Sequence, residues 1–381
     1  MSNSRKIDRG EGGCPVHRDA DGIWQIHEFN AAKTVLRSTD TVQAGLGVEF
    51  MDRMPASIRR PVLYRDGPEH REHRRQTAKY FTPRHVDSHY RELMERYADR
   101  EIAALRRDGS GDLAEISFRF AVDVAKAIVG LTESRPGTDK RLARFFVGRD
   151  VAPGFSSPTA VYNLWLQGWW WTSFYVNDVR PAIKVRRHAR QDDLISHLID
   201  EDCTNVEILA ECLTFASAGM VTTREFISAA AWHLFGDVEL RKRFHEGDQA
   251  QRYALLHEIL RLEPPLDRLK RRTTKTLELP DGSTIPDGEF VHIKTSAVNT
   301  DETAVGPEPL EVQPDRAISP GLSFGEGPHK CPGMYVAIQE TDIFLTKLFA
   351  IDTLDLAAPP KVTHNAVFES YEIRDMAVTV R

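Results

Sequence analysis

The chain has 381 residues, 41% of them hydrophobic, and a formal net charge of −6. That is enough apolar content for one large core, and the acidic balance argues against a dedicated nucleic-acid binder. Four cysteines (Cys14, Cys203, Cys212 and Cys331), none in C-x-x-C spacing, do not make a disulfide framework or a zinc pair.

The start, MSNSRKIDRGEGG, has no apolar signal segment, and no run of about 18 apolar residues follows, so a cytoplasmic protein with no membrane partner is expected. Residues 1–20 read as a flexible extension and 20–381 as a single domain without linkers, repeats or low-complexity stretches. From about Pro68 to Pro264 the pattern is mainly helical. WLQGWWW holds four of the six tryptophans between Trp165 and Trp171, which suit either ordinary packing or the lining of an access channel.

TNVEILAECLTFASAGMVTTREFISAAAWHLFG is the clearest helix. Thr204 and Glu207 have capping-box spacing, no proline interrupts, and Gly236 can end it. At 1.5 Å per residue it spans about 45 Å, a core axis for a whole domain. QAQRYALLHEILRLEPP predicts a second helix stopped by Pro264 and Pro265. Two P-D-G turns in KTLELPDGSTIPDGEFVHIKTSAV predict β-hairpins. A last helix is expected from near Cys331 to about Phe349, and AVFESYEIRDMAVTV alternates as a β-ribbon would. The fold class is therefore mainly α with a small β-region.

SFGEGPHKCPGMYVA carries the chemistry. Gly325 and Gly327 allow backbone conformations closed to other residues, so their N–H groups can turn toward one point. A helix N-terminus lowers a thiol's pKa, and Cys331 so placed suits a soft metal or a haem iron. A buried structural cysteine is the plain alternative. Zinc would need further ligands at ordinary spacing, and none is near.

F-G-x-G-x-H-x-C-x-G, from Phe324 to Gly333, resembles the haem-ligand signature of the cytochromes P450. The resemblance implies that fold, with the long helix passing over the haem, and haem b as cofactor. It makes Cys331 the axial ligand of the iron, with Phe324, Gly325 and Gly333 in its loop and His329 beside a haem propionate. Thiolate ligation favours O–O cleavage. Three further segments match. Glu258 and Arg261 form the family's E-x-x-R pair, and Arg316 stands where its third member is placed. In RDGPEHREHRRQTAKYFTPRHV, His70 and Arg74 match P-E-H-x-x-x-R and should reach the propionates, where a solvated basic helix with a His70–His73 metal pair is the alternative. Arg271 is the further propionate arginine, with Arg272 its competitor.

On the long helix Ala218, Gly219 and Thr222 match the family's A-G-x-(Asp or Glu)-Thr, the glycine leaving room for dioxygen. The acid position holds Val221, which cannot titrate. Glu225, one turn on, is a candidate proton relay, and waters ordered by Thr222 and Thr223 are another. The implied function is insertion of one oxygen atom from dioxygen into a medium-sized, apolar or aromatic substrate in bacterial natural-product biosynthesis. Electrons would come from a separate ferredoxin or flavoprotein. Oxidative coupling without oxygen insertion, and a non-catalytic haem-thiolate sensor, are the alternatives. Residues Val42 to Tyr64, including Phe50, Met51 and Met54, and Leu266 to Leu269 correspond to substrate-contacting regions in relatives.

Overall fold

The structure is a computed structural model and describes residues 14–45, 47–48, 58–146, 153–316, 321–365 and 370–381. Strands β1 (Val16–Arg18) and β2 (Trp24–Ile26) lead into helix α1 (Phe29–Arg37) and strand β3 (Thr41–Gln43). Helices α2 (Gly67–Thr77) and α3 (Arg91–Asp108), strand β4 (Ser110–Asp112) and helix α4 (Leu113–Val129) follow. The middle of the chain holds α5 (Pro158–Phe174), α6 (Arg180–His188), α7 (Leu194–Asp200), α8 (Asn205–Gly236), α9 (Val238–Glu246) and α10 (Gln249–Leu262). Strands β5 (Arg268–Thr273), β6 (Leu277–Glu278), β7 (Thr284–Ile285) and β8 (Phe290–Lys294) precede helix α11 (Met334–Phe349). Strands β9 (Leu354–Leu356), β10 (Lys361–Asn365), β11 (Ser370–Arg374) and β12 (Ala377–Val380) end the chain. The architecture is mainly α with small sheets at the periphery.

The axis is α8. Its N-terminus closes as the sequence predicts: Glu207 N–H donates to Thr204 Oγ1, and Thr204 N–H donates to Glu207 Oε2 at 2.7 Å. The helix runs through two apolar cores. Ile208, Cys212, Ala216, Met220 and Val221 pack with α6 and α7. Phe226, Ile227 and Leu234 pack with α3, α10 and α11. Among the described residues it is the one helix long and apolar enough to cross a membrane, and more than half of that apolar window is buried inside the domain.

Several expectations are redrawn. Residues 16–18 are not a flexible extension: β1 pairs with β2, Val16 opposite Ile26, at the edge of a five-stranded sheet ordered β1-β2-β8-β5-β3. Residues 1–13 lie outside the described residues. The first P-D-G turn closes the β6–β7 hairpin. The second sends the chain to another sheet, because β8 pairs with β5 and with β2 instead of β7. The tail is divided too: β11 pairs with β10, while β12 runs between β4 and β9. In both places alternation identifies a strand, but its partner is chosen by the apolar surface available elsewhere.

A buried ion cluster braces α10. Arg261, fully buried, donates to Glu258 from Nε at 2.8 Å, and Arg316 reaches the same carboxylate at 3.3 Å. Burial alone would raise the pKa of Glu258, but the hydrogen bond and charge of Arg261, the Gln313 N–H and Arg316 outweigh it and hold the carboxyl below its usual range. Arg261 also donates to the carbonyls of Asn299, Pro309 and Glu311, so one side chain ties α10 to the segment leading into the cysteine loop.

Candidate functional site

The cysteine loop is held from its backbone. Cys331 N–H donates to the Phe324 carbonyl at 2.8 Å, and Gly325 N–H to that of Leu322 at 2.8 Å. Gly325 and Gly327 have φ of +67° and +68°, which disfavours any side chain. At Gly327 space forbids one as well: a Cβ would lie 2.3 Å from the Leu36 carbonyl oxygen at the end of α1. The Phe324 ring meets His257 of α10 edge to face at 6.3 Å.

Helix α11 begins at Met334, with Gly333 as its N-cap, so Cys331 precedes the first turn by more than the sequence suggests. The expected depression of its pKa is not found. Burial pushes the thiol up, and the Gly333 N–H and the Arg74 guanidinium only partly oppose it. Desolvation of the anion outweighs one hydrogen bond and one cation. A bound metal cation would reverse that balance, because it converts a coordinating thiol to the thiolate.

Bases from three segments gather here: α2, β5 and the loop itself. Arg74 of α2 donates to the Lys330 carbonyl at 2.6 Å. His70, one turn earlier and 2% exposed, stacks on His329 with ring centroids 4.2 Å apart. Its pKa falls to about 4 through burial, the His329 ring and Arg74. Arg271 on β5 is 5% exposed and donates to Gln43 Oε1 at 2.7 Å, and burial lowers its pKa to about 10. Its neighbour Arg272 lies over the Phe290 ring instead, so it is Arg271 that faces the cleft. Asp66 is the carboxylate here, accepting from His329 Nε2 at 2.8 Å. Asp66, His329 and Arg271 also line a cleft of about 270 Å3 with Thr41 and Arg71. The buried Arg271, the half-buried Arg74 and two histidines make a base-lined, cation-rich pocket with Asp66 as its carboxylate, and its donor set fits a dicarboxylate such as haem beside a cysteine sulfur. The proposed His70–His73 metal pair does not form, because His73 turns to Glu211 of α8, 3.7 Å away.

On α8, Ala218 and Thr222 lie on an accessible stripe of an otherwise buried stretch. The Thr222 hydroxyl donates to the Ala218 carbonyl at 2.7 Å. The Cβ direction of Gly219 points to Ala125 of α4, where an alanine would make an ordinary 3.6 Å contact. Val221 is buried in the core shared with α6 and α7. Glu225 is fully engaged: Oε1 accepts from Arg224 Nε and from Arg374, both at 2.8 Å, and Oε2 from Ile373 N–H at 2.8 Å. That carboxylate anchors β11 to α8, which leaves little freedom for a relay. Two carboxyls that the sequence did not single out are more protonatable. Glu340 of α11 accepts from Thr223 Oγ1 at 3.0 Å, and burial raises its pKa well above the ordinary value, against that hydrogen bond. Its signal was a glutamate inside the apolar run VAIQETDIF. Glu211 is raised to about 7 by burial, opposed by Arg65, the Val62 N–H and Arg59.

The four tryptophans divide. Trp165 and Trp169 are 63% and 55% exposed and stack on each other at 6.5 Å, while Trp170 and Trp171 meet Phe145 edge-on. Phe50, Met51 and Met54 lie outside the described residues.

Comparison with known proteins agrees with this geometry. The sequence profile of the family described as Cytochrome P450 matches residues 253–369. Vitamin D(3) 25-hydroxylase of Pseudonocardia autotrophica is 28% identical over 332 residues, 85% of this chain and 78% of that one. Erythromycin C-12 hydroxylase of Saccharopolyspora erythraea is 27% identical over 365 residues, 88% and 83% of the two chains. In fold, the crystal structure of P450BioI with hexadec-9Z-enoic acid ligated acyl carrier protein superposes with a TM-score of 0.79 at 21% identity, covering 96% and 95%. The profile match over residues 253–369, hydroxylases among the relatives and a P450 fold across nearly the whole chain, around a cysteine loop flanked by bases, together support a bacterial cytochrome P450 monooxygenase.

Proposed function

We propose that this enzyme inserts one oxygen atom into a medium-sized, largely apolar or aromatic substrate in bacterial natural-product biosynthesis, using haem b and electrons from a separate ferredoxin or flavoprotein. The observation that carries it is the juxtaposition of the Cys331 sulfur with the cation-rich pocket. Cys331 would ligate the iron, and Arg74, Arg271, His70 and His329 would hold the propionates. When bound, the haem supplies an iron whose thiolate ligand favours O–O cleavage. The relatives named as hydroxylases of erythromycin and vitamin D(3), both multi-ring or macrocyclic molecules, support an apolar substrate of this size.

The chain's own residues suggest how protons are managed with valine at the acid position. Thr222 gives its hydroxyl hydrogen to the Ala218 carbonyl, so its oxygen lone pairs remain to accept from water. Next to it, Thr223 donates to Glu340 Oε1, and Glu340 Oε2 has no partner among the described residues. Burial favours the protonated form of this carboxyl, so it can hold a proton inside the protein beside Thr223, one residue from Thr222. Val221 excludes charge and bulk water from the adjoining core.

A carbon monoxide difference spectrum of the reduced protein tests the reading. The thiolate-type band is expected in the wild type and lost in Cys331→Ala, and a band unchanged by that substitution would exclude Cys331 as ligand. Substrate-induced spin-state shifts across a compound library then identify the substrate. Product analysis under labelled dioxygen separates insertion from oxidative coupling, the reading that the buried Val221 favours if no label is incorporated.

A further inference from the structure

We propose that His85, His89 and Asp192 form a surface site for a first-row transition-metal dication of the zinc class, joining the segment before α3 to the loop between α6 and α7. One ligand atom from each of the three residues lies within 4.8 Å of the others. The site is separate from the cysteine loop and uses none of its residues.

The local fold explains the pairing of the imidazoles. Pro83–His85 makes a helical turn that widens into a π-turn over Val86–Tyr90 before α3 starts. Positions four apart lie on one face of such a winding. The rings of His85 and His89 accordingly lie face to face, with centroids 4.0 Å apart and planes 9° from parallel. Each ring has one nitrogen engaged by a hydroxyl: His85 Nε2 with Tyr90 at 3.2 Å, and His89 Nδ1 with Ser88 at 2.8 Å. Such outer partners fix ring orientation and leave the second nitrogen of each ring as a ligand.

Asp192 is presented by an anchored backbone. Its neighbour Asp193 accepts from the fully buried Arg186 at 2.7 Å and caps α7 through Ser196 N–H at 2.8 Å. Among the described residues Asp192 itself has one ion-pair contact, with Lys79 at 3.5 Å, both side chains more than half exposed. Exposed pairs of this kind contribute little, so a metal can displace the lysine. Two imidazoles and a carboxylate make a borderline donor set that suits zinc and its neighbours, while magnesium and calcium prefer oxygen alone. Tetrahedral zinc with ligands at about 2.0 Å needs donors roughly 3.3 Å apart. A rotamer change in the exposed Asp192, with small shifts of the exposed His89 toward the half-buried His85, supplies that closure, and water completes the fourth position.

Occupancy would staple two parts of the fold near the α8 stripe. Tyr80 sits between His85 and His197 of α7, with centroids at 5.9 Å and 6.3 Å, and Phe81 stacks on Phe215 of α8 at 5.8 Å.

Calorimetric titration of zinc chloride into the full-length, haem-loaded, tag-free protein tests this, with His89→Ala and Asp192→Asn alongside and magnesium chloride as control. One equivalent of zinc is expected to bind the wild type, weakened at least about tenfold in each variant, with no magnesium heat. A hundredfold excess over the dissociation constant should also raise the thermal midpoint by about 3 °C. The absence of zinc binding, or equal binding by all three proteins, would overturn the site. Loss in His89→Ala with Asp192→Asn unchanged would overturn the bridge between the two segments. Asp192→Asn replaces an exposed side chain by its isostere, so the result does not depend on a variant that fails to fold.

Discussion

The hydroxyl of Thr222 closes on its own helix at the Ala218 carbonyl, and what it offers outward is an acceptor. Replacement by alanine removes that acceptor and loosens the ordering of water over the stripe. Thr222→Ala is therefore expected to divert electrons to peroxide and lower product yield per electron by about tenfold or more. Unchanged coupling of electron consumption to product would dismiss the role. Glu211 gives a stability prediction. Its pKa in the folded protein is raised from 4.5 to about 7, with burial as the first cause. Between those values the folded protein keeps a proton that the unfolded chain has lost, so stability falls as pH rises through that window. Chemical denaturation at pH 5 and pH 7.5 should show a smaller loss in Glu211→Gln than in the wild type. A parallel loss in both would place the pH dependence elsewhere. At this scale the sequence signalled the cysteine but not the acids, because whether a glutamate is neutral depends on its depth and partners. Glu225 and Glu340 look alike in the sequence; one is bound by two arginines and a backbone N–H, the other by a single threonine.

At the scale of elements, the cysteine loop depends on its fit against α1. Gly327 combines a φ of +68° with a backbone approach that leaves no room for a methyl group. Gly327→Ala must shift either the loop or the end of α1, and the haem-loaded fraction of purified protein should fall severalfold by absorbance at equal expression. Full loading would show that the loop adapts. The boundaries of α8 and α10 were legible because caps and prolines act locally. The second P-D-G turn and the tail were not, since β8 and β12 find partners far away in sequence. The same distance hid Asp66, whose tie to His329 spans 263 positions.

For the molecule as a whole, three segments that share no local structure, α2, β5 and the cysteine loop, bring their bases to one pocket. A bound dicarboxylate would offset the charge of Arg74 and Arg271 there, so haem should stabilise the entire fold and not only its loop. A hundredfold excess of ligand over its dissociation constant adds about 2.7 kcal/mol. Haem removal is expected to lower the thermal midpoint, and reconstitution to restore it; equal midpoints for apo and reconstituted protein would contradict that linkage. By itself the sequence signalled the family, the cysteine loop, the bases of its flanking segments and the long capped helix, because motif spacing and capping are encoded within a few residues of one another. Only the tertiary structure decided which strands pair, that burial raises the Cys331 thiol, that Glu225 is an anchor while Glu340 lies poised beside Thr223, and that His85 and His89 meet Asp192. Each of these is a matter of desolvation or of contact between distant segments, and neither is set until the chain has folded.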